Sequence, residues 1–237
     1  MPLRPILAPV VALVLVLAAT QAATAKPSAQ AAFAEPGDII AAEGNFSHLS
    51  AAKGMKVAIR ATAASNAQIV APDVMRVTQF AGTAAVQLPA QWHTQQLWMS
   101  CDGSIAVTHG EWQRSPSTGW YATIWQRQKG GGYKWVLAES GSLKAPLPDS
   151  DMIAASVADC PVRRARGATG KSEAAAPDRG KAPVTDYLSG HSDDATLEWA
   201  TTQAAPGSIS GSRTFVLRLK RDGTLHEVLR ASATPGA

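Results

Sequence analysis

The chain has 237 residues, 17% of them charged, with a formal net charge of +4; it is long enough for a sizeable core and carries no strong charge bias. Much of the excess is local, because Arg163, Arg164, Arg166, Lys171, Arg179 and Lys181 fall in one Gly/Ala/Pro-rich stretch that reads as a linker and not as a nucleic-acid-binding face. Neither the two cysteines nor the five histidines stand at a metal-ligand spacing with a carboxylate in support, which argues against a bound metal, and no cofactor is expected.

At the N-terminus Arg4 precedes an apolar run from Ile6 through Ala19 and small residues ending in Ala23-Thr24-Ala25. That is the order of a signal peptide, spanning residues 1–25. The run is shorter than the roughly 20 apolar residues of a membrane span and no stop-transfer charges follow it, so no span is expected after cleavage. The expected location is the periplasm or the exterior. Residues 26–37 are Ala/Pro-rich and read as a disordered leader.

Asp38 reads as an N-cap, and Ile39, Ala42, Phe46 and Leu49 recur at helical spacing until Gly54 interrupts them. A second, shorter helix is predicted from Met55, Ala58, Ile59 and Thr62. Strand-like composition begins at Ala67 and reaches a turn at Ala71-Pro72-Asp73. From Leu97 onward the pattern is a meander: Leu97 to Ser100, Ile105 to Trp112, Gly119 to Arg127 and Tyr133 to Glu139, separated by Asp102-Gly103, Ser115-Pro116 and Gly130-Gly131-Gly132. Such short loops imply antiparallel neighbours. Trp98, Trp112, Trp125 and Trp135 put one indole in each strand, and read either as plain core or as the wall of an aromatic pocket.

Beyond residue 147 a short helix is predicted over 148–160, then a basic low-complexity linker over 161–185. Residues 186–237 read as a C-terminal β-hairpin extension that turns at Arg221-Asp222-Gly223-Thr224 and either extends the main sheet or covers its edge. Cys101 and Cys160 read as a disulfide in an exported protein or as two buried free thiols. A bridge between them closes a long loop, worth roughly 4 kcal/mol in the chain-entropy account.

Three stretches carry a likeness to a known family: Lys53-Gly54-Met55 through Ala71-Pro72; Trp98-Met99-Ser100-Cys101-Asp102-Gly103-Ser104-Ile105-Ala106-Val107-Thr108-His109-Gly110; and Trp125-Gln126-Arg127-Gln128 with Gly132-Tyr133-Lys134-Trp135-Val136-Leu137. Residues 38–147 thereby resemble the small secreted bacterial members of the NTF2-like superfamily, which includes the SnoaL-like and ketosteroid-isomerase-like proteins. The resemblance implies an α+β, cone-shaped fold in which N-terminal helices pack on a curved antiparallel sheet around a pocket, often in a dimer. It does not fix an activity, since the superfamily holds isomerases, cyclases, dehydratases and non-catalytic binding modules.

The isomerase pair of a general-base Asp and a donor Tyr has no counterpart in the first helix, which offers Phe46 and His48. Glu139 is the best candidate for a catalytic carboxyl, expected on the same side as Trp135 and Leu137, and reads either as a pocket acid or as a solvated edge carboxylate. His109 and Glu111 share a strand face and are expected as a surface pair. The expected pocket lining is Arg60, Trp98, Tyr121, Trp125, Trp135 and Glu139, with His93 a further polar group. Three functions stay open on the sequence: a non-catalytic exported module for a small apolar or aromatic ligand or a protein partner, an isomerase-, cyclase- or dehydratase-like enzyme using Glu139, and a homodimeric association domain.

Overall fold

The first helix starts two residues ahead of the expected cap. In the computed structural model, which describes residues 34–70, 74–80, 91–160, 186–203 and 212–233, helix α1 spans Pro36–Lys53 with Glu35 as N-cap. Proline at the start needs no N–H partner and presets φ, while Asp38 in the first turn meets the positive end of the helix dipole. Gly54, at φ 83°, ends α1 with its N–H donated to the Ser50 carbonyl and leads directly into α2, Met55–Thr62. Ala58, Ile59 and Thr62 are the buried face of α2, at the spacing read from the sequence.

The expected signal peptide over 1–25, residues 26–33 of the expected leader, the turn at 71–73 and the linker over 161–185 lie outside the described residues, and Pro36 and Gly37, expected as the end of a disordered leader, belong to α1. Strand β1 (Ala63–Val70) follows α2 without a break, earlier than the composition suggests. After it come β2 (Val74–Arg76), the single turn α3 (Val77–Phe80), and the meander β3 (Gln91–Met99), β4 (Ile105–Arg114), β5 (Ser117–Arg127) and β6 (Tyr133–Leu143). Every strand of the expected meander is present, joined by antiparallel pairings. β1 lies parallel to β6, and the open seven-stranded sheet runs β2-β1-β6-β5-β4-β3-β7.

Two expectations are corrected at the C-terminal side. The helix predicted over 148–160 is not there: Ala154–Val157 is strand β7, pairing parallel with β3 at the sheet edge. Val157 joins the helix-side core, and the Ala158 N–H bonds the Met99 carbonyl, so edge pairing overrides the local preference. The C-terminal region is more than a hairpin. It forms a second, four-stranded antiparallel sheet of β8 (Asp186–His191), β9 (Leu197–Gln203), β10 (Arg213–Arg221) and β11 (Thr224–Ala233), in the order β11-β10-β9-β8. Its last turn is the expected one, with Asp222 and Gly223 both at positive φ.

The second sheet covers a face of the first, not its edge. Leu197, Phe215, Leu217 and Leu219 share one core with Trp98, Val107, Trp120 and Ile124. On the opposite face Ile39 and Ile59 pack on Leu97, Met99, Trp125 and Trp135. The larger sheet is therefore buried on both sides, each large side chain contributing about 2–3 kcal/mol on leaving water. Cys101 and Cys160 form a disulfide, Cα atoms 5.1 Å apart, tying the chain after β7 to the β3–β4 turn. Among the described residues no helix is long and apolar enough to cross a membrane.

Candidate functional site

The helix-covered face holds an unusual polar group. Glu43 stands on α1 one turn beyond Ile39, on the stripe that Ala42 and Phe46 also follow into the core. Its Oε1 accepts a short hydrogen bond from the Thr108 hydroxyl of β4 and a second from Trp125 Nε1 of β5 at 3.2 Å. Burial pushes the Glu43 carboxyl above its ordinary range, and the hydrogen bonds from Thr108 and Trp125 only partly oppose it.

Tyr121 sits on the same face of β5, since the flanking Trp120 and Ala122 belong to the opposite core. Its hydroxyl lies 2.6 Å from Thr94 Oγ1 on β3, and its ring meets Trp92 edge-on at 4.9 Å. Burial, and then the nearby Glu43 charge, push the Tyr121 hydroxyl well above its usual value, so it is a neutral phenol at any physiological pH. Trp92 pairs directly across from Trp112, which in turn faces Gly119. A Cβ at Gly119 would overlap the Trp112 indole, so the missing side chain makes room for the ring. The indole N–H groups of both Trp92 and Trp112 are buried without a hydrogen-bond partner.

The arrangement combines aromatic walls with neutral or weakly acidic hydrogen-bonding groups. Two orphaned donors, a phenol and a carboxyl of raised pKa suit an apolar body carrying an acceptor oxygen. Among the described residues no group of three His, Cys, Asp or Glu side chains stands where it could hold a metal ion.

Of the residues singled out from the sequence, Tyr121 and Trp125 lie in this cluster. Trp135 shares the face farther along, its Nε1 donating to Thr62 Oγ1 at 3.0 Å. Arg60 is exposed on α2, and His93 is exposed on β3. Trp98 and Glu139 point the other way, into the core between the sheets. For Glu139 the cause is a bulge. β5 pairs Trp125 with Trp135 but Ile124 with Leu137, so Val136 is an extra residue and alternation reverses across it. Trp135 is thus on the helix side, whereas Leu137 and Glu139 are not.

Glu139 is neither a helix-side acid nor a solvated carboxylate. It accepts from Thr201 at 2.6 Å and from Arg213 Nε at 3.3 Å, with both charged side chains almost fully buried. Burial raises its pKa, while Thr201 and the Arg213 guanidinium pull it back. His109 and Glu111 share a face as expected but are both buried, not a surface pair. His109 lies between Trp98 and Trp120, 6.4 Å from each ring, and burial lowers its pKa to about 4. Burial alone would raise the Glu111 carboxyl, yet donors from Thr118, Gln113 and the Leu147 backbone hold it below its usual value.

Glu43, Thr94, Thr108 and Trp92 were not singled out from the sequence. The available signal was an acidic residue inside the Ile39, Ala42, Phe46 stripe. No protein-family model matches the chain, and no curated protein matches it in sequence.

Proposed function

We propose that this is an exported binding module of NTF2-like architecture that holds a small apolar or aromatic ligand, bearing an acceptor oxygen, against the helix-covered face of its larger sheet. The observation that carries the reading is the Glu43 and Tyr121 pair: two buried groups whose pKa values burial raises, set among Trp92, Trp112 and Trp125. Buried polar groups in folded proteins are normally satisfied, and the partnerless Trp92 and Trp112 donors fit a ligand that completes them. Export is supported by the leader-like N-terminal sequence and the Cys101–Cys160 bridge. The second sheet covers the face of the larger sheet opposite the helices, which favours the ligand reading over the association reading.

An acid-base enzyme is the second reading, and it moves from Glu139 to Glu43. A carboxyl whose pKa burial raises, beside an indole donor, suits proton transfer, whereas Glu139 is engaged by Arg213 and Thr201 on the opposite face.

Native mass spectrometry of the mature protein, purified gently from its own host, tests the proposal. A reproducible small-molecule mass that denaturation releases is expected, and it should diminish in Tyr121→Phe and in the Trp92→Phe, Trp112→Phe pair. Bare protein throughout, together with no quenching of tryptophan emission by hydrophobic phenols or aryl ketones, would refute it.

A further inference from the structure

The two sheets repeat one another. The chain passes from β3 to β4 through Ser100-Cys101-Asp102-Gly103-Ser104-Ile105 and from β8 to β9 through Ser192-Asp193-Asp194-Ala195-Thr196-Leu197, with the two aspartates 92 residues apart. In each turn the leading Ser N–H donates to the last residue's carbonyl at 2.9 Å and its hydroxyl donates to the Asp Oδ1 at 2.7 Å. In each, the residue two after the aspartate gives both its N–H and its hydroxyl to that same Oδ1.

Similar turns arise from local side-chain chemistry alone, so the decisive likeness lies elsewhere. β3 shifts register against β4 between Thr94 and Gln96, and β8 shifts against β9 between Asp186 and Leu188, the matching place. β5 shifts against β6 between Ile124 and Trp125, skipping Val136; β10 shifts against β11 between Leu217 and Arg218, skipping Val228. Both units also run in the same strand order. Two bulges at corresponding positions are not dictated by any turn.

Contacts between the units are reciprocal. Asp102 N–H donates to Asp194 Oδ2 at 2.9 Å and Asp194 N–H donates to Asp102 Oδ2 at 3.1 Å. Cys101 N–H meets Thr196 Oγ1 at 2.9 Å, and Asp193 N–H meets Ser104 Oγ at 3.0 Å. At the other end Trp120 Nε1 donates to the Ser232 carbonyl at 2.9 Å, while Arg213, its counterpart on β10, donates to the Ser140 carbonyl at 3.3 Å. Residue i touching j while the counterpart of j touches the counterpart of i is the signature of a two-fold, isologous contact.

We infer that β8–β11 is a second copy of the β3–β6 unit, and that it pairs in cis with the first across the sheet face opposite the helices, as two chains of a two-fold dimer would, making the protein a self-paired monomer. The outer face of the copy is polar where the first unit is apolar beneath its helices. His191, Glu198, Arg218 and Glu227 stand where the first unit places Met99, Ala106, Trp125 and Trp135 under α1 and α2. The copy also accounts for the orphaned His109 Nδ1. Thr201 donates to Glu139, but the reverse pair is His109 and Ala231, and an alanine offers no acceptor.

Sedimentation equilibrium of the mature, oxidised protein from low micromolar to submillimolar concentration should give the mass of one chain throughout; a dimer, swapped or not, would overturn the inference. Asp102→Asn and Asp194→Asn supply the second measurement. Each can keep Oδ1 for its own turn while placing an NH₂ where the other turn's N–H must bond. The two should lower Tm by similar amounts, about 3 °C each, and the double variant by less than the sum. A loss confined to one variant, or strict additivity, would overturn the two-fold pairing.

Discussion

The two faces of the larger sheet are closed by different means. Against the second sheet most buried polar groups are matched, Glu139 by Arg213 and Thr201 and Asp102 by the Asp194 turn, and His109 Nδ1 is the exception among the described residues. Against the helices, the matching stops short, leaving a carboxyl of raised pKa and two indole donors without partners. The intersheet face ties the two units of the chain together, and the helix-covered face is the one we propose for the ligand. Paired burial of polar groups fixes geometry, whereas unpaired burial costs stability and persists where function uses it.

The sharpest way to break this comparison is Arg213→Ala, which strands Glu139 in the intersheet core. A loss of about 4 kcal/mol is expected in denaturant unfolding, with retention at the proposed ligand face unchanged in the still-folded protein. A loss under 1 kcal/mol would mean that the intersheet face does not depend on its pairs.

A smaller effect comes from His109. Its folded value of about 4 lies below the ordinary 6.5, so the unfolded chain takes up the proton first as pH falls. The contribution is complete above pH 6.5 and lost as pH falls toward 4, a decline of about 3 kcal/mol. His109→Phe should flatten that part of the stability-pH curve, and an unaltered slope would place the acid sensitivity elsewhere.

The least expected change is a gain. With its pKa raised in the fold, Glu43 carries no penalty below pH 4.5 and an increasing one as pH rises through the folded value. Glu43→Gln should therefore match the parent near pH 4 and exceed it by about 1 kcal/mol at pH 8, while weakening ligand retention. Reduced stability at pH 8 would show Glu43 to be structural.

Much of the first unit was legible because its signals are local. Gly54 between two apolar stripes, and Asp102-Gly103, Ser115-Pro116 and the triple glycine between alternating segments, mark the two helices and the meander. The site was less legible. Tyr121 and Trp125 were found as aromatics on strands, but Glu139 was assigned to the wrong face because alternation was carried across Val136. A bulge belongs to a pair of strands and leaves no mark in one of them. Glu43 was missed for the opposite reason: a glutamate on a helix reads as solvated until the surface facing it is known.

The sequence by itself determined which segments become α1, α2, the β3–β6 meander and the last hairpin, since helix stops, turn residues and two-residue alternation act over a few neighbours. Tertiary structure alone decided that 154–157 joins a sheet edge, that β8–β11 lies across a face, and that Glu139 is buried against Arg213 and Thr201 and Glu43 against Thr108 and Trp125. Strand register, layer packing and the pKa of a buried carboxyl all depend on groups far apart in the chain, and only folding brings those groups within reach of one another.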